Sequence, residues 1–304
     1  MKLSTFFGIA IGIIAIFGAF LWEGGSIDAV IMVPALTIVV GGTLAAGLAG
    51  SSFRQMAKLP QLFYIAMNPK QYDLKEIVQQ IVSFSYIARR DGILALETQL
   101  DKVKHPHLKK LFEICIDGTD PETFQEIVDN EAEHLTKRHE ANIGLFTKLG
   151  GYSPTMGLIG TVLALIATFA SAGADPEVLI RNIAPAFIAT MWGILLANIV
   201  WLPVSDKLRS LHDEEIRQLQ IMASGVYAVL LGDTPVMIKQ RLASSFSLPE
   251  QEEIKKSKIR PFLSRKEKPK GNGPQRLPKV TPPKRASKKE AEEAPKKPQS
   301  VKSK

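Results

Sequence analysis

Threonines, an asparagine and several prolines stand inside two long apolar runs of this chain. The run Gly150–Gly173 holds Pro154, Thr161 and Thr168; the run Asn182–Pro203 holds Pro185, Thr190, Asn198 and Pro203. Thr161 and Thr168 are seven residues apart and share a helix face, and Thr190 and Asn198 are about two turns apart. A proline within a helix removes one backbone hydrogen bond and frees a carbonyl. Hydroxyls and freed carbonyls can coordinate a dehydrated cation or hold water for a proton. The same residue types also join packed membrane helices, so residue types alone leave both readings open. Neither run contains Asp, Glu, Lys or Arg between its ends. Ion movement coupled to work needs an ionisable group in the membrane. Either no ion moves here, or another chain supplies the carboxylate.

The elements that must position these groups are membrane helices. About 20 apolar residues cross the hydrocarbon, and two further runs of that length, Leu3–Leu21 and Ala29–Phe53, open the chain. Hydrophobic residues are 45% of the 304, and their concentration into four runs argues against a soluble bundle. A secretory signal peptide is the competing reading of the first run. Its long apolar core, the lack of a clear A-x-A cleavage site and the second run close behind argue against that. Gly8 and Gly12 form a GxxxG that lets another helix approach, and small residues (Thr37, Gly41, Gly42, Thr43, Gly47) recur along the second run. Pro34 lies near that run's outer end, where a lost bond is tolerated.

Charge sets the orientation. The loop Trp22–Asp28 has no Lys or Arg, the loop Gly173–Arg181 is short and mostly acidic, and Arg54–Lys148 and the tail after Pro203 are rich in basic residues. The positive-inside rule then puts both termini and the middle segment in the cytoplasm. The single cysteine, Cys115, allows no internal disulfide and suits a reducing compartment.

The fold class expected is an all-α membrane protein: four transmembrane helices with a helical cytoplasmic domain between spans two and three. The expected boundaries are residues 1–53 for spans one and two, 54–147 for the cytoplasmic domain, 148–204 for spans three and four, 205–247 for an amphipathic helix, and 248–304 for a disordered basic tail. Apolar residues at Leu74, Ile77, Val78, Ile81 and Val82 make one buried helical stripe, and Ile93–Val103 continues in that style. Thr119, Asp120, Pro121 and Glu122 signal a helix start, with no strong stop before Gly150, so one long rod should run from the cytoplasm into span three. In the tail Lys, Pro, Glu and Ser dominate, too little apolar surface to order it. Its charge suits anionic lipid headgroups, or simple solubilisation.

No enzyme signature is present: no P-loop, HExxH, CxxC or GxSxG. His105 and His107 flank Pro106 in a turn, and His134 and His139 have a spacing poor for a metal. No metal site, cofactor or nucleic-acid partner is expected; a transported Na+ or H+ takes the place of a cofactor.

The combination resembles the A subunit of the bacterial flagellar motor stator, the MotA/PomA family. The carrying segments are Thr37–Thr43, Ala88–Glu97, Ser153–Thr161, and Gly193–Asn198 running on to Leu208, in order and with the right spacings over roughly residues 1–245. The resemblance implies four spans with both ends in the cytoplasm of the bacterial inner membrane. It also implies a ring of A subunits, a pentamer, around single-span B subunits that carry the essential Asp. Ion passage past that Asp would turn the ring against the rotor's switch-ring protein. By position, Pro154 and Pro203 match the family prolines that couple ion flow to torque. Thr161 and Thr190 match hydroxyl positions facing the B-subunit helix, and Arg89, Arg90 and Glu97 match charges that meet the rotor. Thr161 gives a slight tilt towards sodium. The rivals are an ExbB/TolQ-like proton-driven energiser of outer-membrane processes, and a membrane scaffold without ion flux. Two spans ahead of the cytoplasmic loop, and Arg89 and Glu97 at the rotor positions, favour the motor.

Overall fold

The computed structural model describes residues 4–70, 72–170 and 176–256, and every regular element among them is helical. The first apolar run is helix α1 (Ser4–Trp22). A single turn, α2 (Ile27–Val30), follows, its Ser26 Oγ accepting from the Ala29 N–H. The second run does not form one helix over Ala29–Phe53 as expected. Met32 is extended, and the helix α3 covers Val33–Ala49, with a π-helical turn at Thr37–Gly41. The cause is Pro34, which has no N–H for the Val30 carbonyl. That carbonyl instead accepts from the indole Nε1 of Trp192 at 2.9 Å. Among the described residues three helices are long and apolar enough to cross a membrane, Thr5–Trp22 and the apolar parts of Pro121–Ala170 and Ile183–Leu230; Val33–Ala49 is a shorter apolar helix.

Two short helices lead away from α3: α4 (Phe53–Met56), begun by a Ser52–Gln55 capping box, and α5 (Leu59–Met67). Helix α6 (Leu74–Asp91) is capped by Asp73, whose carboxylate accepts from the Lys75 N–H at 2.8 Å. Gly92, at φ 88°, ends it, a conformation that other residues avoid. The segment after it, Ile93–Lys102, is a 3-10 helix rather than the continued amphipathic helix expected. Helix α7 (Pro106–Ile116) completes the approach to the rod.

The rod is present. Helix α8 runs unbroken from Pro121 to Ala170, 50 residues. Asp120 caps it, one carboxylate oxygen accepting from the N–H groups of Glu122 and Thr123 at 3.1 and 3.0 Å. Helix α9 (Pro176–Leu195) passes through a π turn at Leu196–Trp201 straight into α10 (Leu202–Leu230). The wider turn sits where Pro203 cannot donate to the carbonyl four residues before it.

The amphipathic helix expected over 205–247 is two helices, α10 and α11 (Pro235–Ala243). Leu231 ends the first, and Thr234 caps the second by accepting from Met237 N–H at 3.3 Å. The segment expected to be disordered from 248 begins with a further helix, α12 (Leu248–Lys256). It is ordered because Ile254 buries in the main core and Glu253 pairs with Lys75 of α6. Residues 257–304 of the predicted tail, and 171–175 of the predicted outer loop, lie outside the described residues.

The main core, outside the apolar spans, joins α6, the 3-10 segment, α7, the start of α8, α10 and α11 around Phe84, Phe112, Phe124, Leu96, Met222 and Ile238, all essentially solvent-free. The Phe84 and Phe112 rings lie 4.8 Å apart. A second cluster at the start of the spans joins α5, α8 and α10 through Leu62, Ile143, Phe146, Val204 and Leu208. The cluster within the spans is small: Ala35, Val39 and Ala189.

Candidate ion path between two spans

Spans three and four, the apolar ends of α8 and α9, are brought together by small residues. A Cβ on Gly157 would lie 2.8 Å from the Ala189 carbonyl oxygen and 3.2 Å from Gly193 Cα. One on Gly193 would lie 2.8 Å from the Ser153 carbonyl oxygen and 3.0 Å from Gly157 Cα. The two backbones therefore touch, and only glycine fits. Lipid tails are as apolar as leucine, so such close packing, rather than hydrophobic burial, holds membrane helices together. Gly160 extends the contact, facing Ala189 and Ile38. Span two joins at the same face, with Gly42 against Met156 and Gly47 against Leu149. The GxxxG of span one is only half used within this chain: Gly12 meets Ile199 at 3.3 Å, while Gly8 faces open space.

This crossing sets the hydroxyls opposite one another. Thr161 Oγ1 donates its single proton among three acceptors within reach: the Gly157 carbonyl (3.1 Å), the Ala186 carbonyl (3.0 Å) and Thr190 Oγ1, the last a very short contact. Thr161 and Thr190 are both half-buried. The two candidate residues thus form one polar point across the helix pair, with lone pairs left for a cation or a water. Thr168 is buried on the same helix, bonded to the Ala164 carbonyl at 2.8 Å. Asn198 instead bonds the Ile194 carbonyl on its own helix, at 2.9 Å, and is exposed.

Ser153 was carried in the resemblance without a role. It is fully buried, and its Oγ donates to the Gly193 carbonyl at 3.0 Å, a second bond between the spans. Where the spans leave the apolar layer, Thr147 Oγ1 lies 2.8 Å from Ser205 Oγ, which also reaches the Ile143 carbonyl at 3.3 Å. Lys148 caps the end of α3 through the Gly50 carbonyl at 3.1 Å. No spacing rule picks these residues out, because each partner lies on a different helix.

The prolines flank the crossing. Pro154 sits inside α8, one turn before Gly157, and leaves the Gly150 carbonyl without its helical donor. Pro203 is the second residue of α10, just after the π turn. The structure does not join Pro154, Pro203 and the threonines into one contact set; it places them along the same helix pair.

The charged candidates lie elsewhere, at the junction of α6 and the 3-10 segment. Arg89, Arg90 and Glu97 are all exposed. Arg90 holds its neighbour Asp91 in a two-pronged pair, Nε to Oδ1 at 2.9 Å and Nη2 to Oδ2 at 2.7 Å. That bonding pushes the Arg90 value up and the Asp91 value down. Arg90 is therefore already half-neutralised on its own helix, which sequence spacing did not suggest. Among the described residues no group of three or more His, Cys, Asp or Glu is arranged to hold a metal ion.

Comparison with known proteins gives the family. Residues 96–221 match the MotA/TolQ/ExbB proton channel family, and residues 6–91 match the motility protein A N-terminal family. Motility protein A of Bacillus subtilis is 30% identical over 256 residues, covering 84% of this chain and 94% of its own length. The chain belongs to the motility protein A family. Another member, motility protein A of Treponema pallidum, is 31% identical over 268 residues, 86% of this chain and all of its own. Chemotaxis protein PomA of Vibrio alginolyticus is 28% identical over 242 residues, 80% of this chain and 94% of its own. Among solved structures, the flagellar MotAB stator complex from Bacillus subtilis matches with TM-score 0.77 at 29% identity, over 82% of this chain and 98% of that one. C. jejuni MotAB has the same TM-score at 24% identity and supports the fold. The motility protein A fold found here is thus an all-α membrane protein of an ion-channel family.

Proposed function

We infer that this chain is the A subunit of a flagellar motor stator, pairing with a B subunit to form an ion channel that converts ion-motive force into torque. The observation that carries the reading is the Thr161–Thr190 polar point between two spans that hold no carboxylate. A titratable group has to come from a partner, and relatives of this chain have been solved as MotAB complexes. The ExbB/TolQ-like alternative is not favoured: residues 6–91 match the N-terminal family of motility protein A, and the relatives are motility proteins.

On this reading the partner's membrane Asp faces Thr161 and Thr190 within a ring of A subunits, a pentamer, in the bacterial inner membrane with both termini in the cytoplasm. Na+ or H+ is the transported ion, with the slight tilt to Na+ that Thr161 carries. Its arrival neutralises the Asp and changes how the Gly157–Gly193 pair packs. The freed carbonyls near Pro154 and Pro203 let α8 and α10 bend as the load moves. Arg89, Arg90 and Glu97 meet complementary charges on the rotor's switch ring; exposed pairs are weak and salt-screened, which suits repeated brief contacts. No covalent chemistry and no resident cofactor is involved.

The first test is a deletion strain scored for both flagella and swimming. Cells that keep flagella but do not swim, and are rescued by the intact gene, support the reading; cells that swim normally with outer-membrane defects would restore the energiser. Thr190→Ala, expressed to wild-type level, is expected to lower swimming speed severalfold or abolish it. Repeating the rescue without sodium identifies the ion.

A further inference from the structure

All five histidines of this chain lie away from the spans, and the ion path uses none of them. They gather where α7, α8 and α10 meet. The His107 ring lies between two carboxylates, with Nδ1 3.0 Å from Glu131 Oε1 and Nε2 3.4 Å from Glu215 Oε1. Carboxylates accept only, so His107 satisfies both at once only when both ring nitrogens carry protons. Lys110 shares Glu131, at 2.6 Å. Bonding to Glu215, and then to Glu131, raises the His107 value against the effect of burial. His107 therefore clasps α7 to both α8 and α10 as an imidazolium.

A few turns nearer the membrane the arrangement is reversed. His139 of α8 faces His212 of α10 edge-on, with Nδ1 to Nδ1 at 3.2 Å. One nitrogen must donate and the other accept, so the bond needs one ring neutral. A proton on each nitrogen sets two N–H donors against each other. Burial lowers the His139 value; Glu215, 3.9 Å away, opposes this, and the positive charges of His212, Arg138 and His107 add to the lowering. His105, nearly solvent-free beside Tyr72, is also held down, by burial and by His107. His107, Lys110, Glu131, His134 and Arg138 help to line a cavity of about 450 Å³ that opens to solvent, so protons reach the cluster. Glu214 on α10 is taken by Gln218 at 3.1 Å.

We propose that this cluster is a cytoplasmic pH sensor: the His139–His212 bond between α8 and α10 opens on acidification, and the His107 clasp to Glu131 and Glu215 opens at alkaline pH. The signs follow from linkage. The fold favours neutral His139, so its contact is complete above the ordinary value of 6.5 and is lost as pH falls through the lowered one. The fold favours charged His107, so the clasp is complete below 6.5 and is lost as pH rises through the raised value. Both hold only in a window around that value. The helices they join, α8 and α10, are the continuations of spans three and four, so opening either contact releases the cytoplasmic ends of the ion-path pair. The further consequence, torque that depends on internal pH, rests on the stator reading; the sensor itself does not.

Hydrogen–deuterium exchange on the purified full-length complex, corrected for intrinsic rates, tests it. Between about pH 5 and about pH 8.5 two limbs are expected, each of up to about tenfold per pH unit between the ordinary value of 6.5 and the shifted one. Protection over residues 134–143 and 208–216 falls at the acid end, and protection over 106–112 falls at the alkaline end. His139→Gln combined with His212→Gln removes the acid limb and keeps the alkaline one; His107→Gln does the opposite. A flat wild-type profile, or an acid limb unchanged in the double variant, overturns the proposal. Solid-state NMR titration of labelled histidines in the wild-type chain needs no variant: His139 titrating above free histidine, or His107 below it, also overturns it. Neither measurement requires a turning motor, so failure of the sensor and failure of the stator reading are separate results.

Discussion

One helix crosses two solvents, and its two ends pack in opposite ways. In the N-terminal part of α8 the buried side chains include Phe124, Val128 and Leu135, set into a core of aromatic and branched residues. In the membrane part the buried positions are Gly150, Ser153, Gly157, Gly160 and Thr168, while Leu158, Leu163 and Phe169 face outward. Water drives the first arrangement, because removing apolar area from it is favourable by about 25 cal/mol per Å². Lipid offers no such drive, so backbone proximity and hydroxyl-to-carbonyl bonds take over. The same helix should therefore fail under opposite kinds of mutation at its two ends.

The largest effect is expected at the N-terminal end of α8. Phe124→Ala leaves a hole in a solvent-free site and should cost about 3–5 kcal/mol, measured as a lowered denaturation midpoint of the purified complex. Next is Gly157→Ala, where adding one methyl against the Ala189 carbonyl and Gly193 should cost about 1–3 kcal/mol. Gly144→Ala on the same helix is its control: a Cβ there meets nothing within 4 Å, and the change should stabilise by up to about 1 kcal/mol. If both glycine variants behave alike, the contrast between the halves is wrong. The smallest structural effect belongs to Arg90→Ala, on the exposed junction after α6. It should leave the unfolding midpoint unchanged, yet reduce swimming under viscous load by more than it reduces protein abundance. Equal loss of both would make Arg90 a folding residue.

Much of this was legible in the sequence, for identifiable reasons. The rod α8 was readable because Asp120, Pro121 and Glu122 are strong start signals and nothing stops the helix before Gly150. The apolar runs were readable because length and composition carry the signal. The extent of span two was overestimated because apolar composition hides the backbone: Pro34 breaks the run at Met32 although every residue around it suits a membrane. The 3-10 segment Ile93–Lys102 looks amphipathic at helical spacing, and only the turn at Gly92 reveals the change. Helix α12 lies in a charged, proline-bearing composition, and Ile254 orders it by reaching a core whose members run from Ile77 to Phe246. At the site, type and spacing picked out Thr161 with Thr168 and Thr190 with Asn198; only the family resemblance set Thr161 and Thr190 together. Ser153 could not be assigned its bond, because its acceptor is a carbonyl on another helix. The pairing of His107 with Glu131 and Glu215 likewise joins residues 24 and 108 positions apart.

An unbroken helix is a stiff beam, and α8 is one of 50 residues. At 1.5 Å per residue it is roughly 75 Å long, and roughly 50 Å of that precedes Pro154. Bending by about 5° at that proline would carry the far tip sideways by roughly 4 Å. The tip is not free: Phe124 and Val128 are locked into the same core as α6, the helix that ends in Arg89 and Arg90. An ångström-scale rearrangement around one bound ion would reach that surface as a stroke several times larger, by leverage alone.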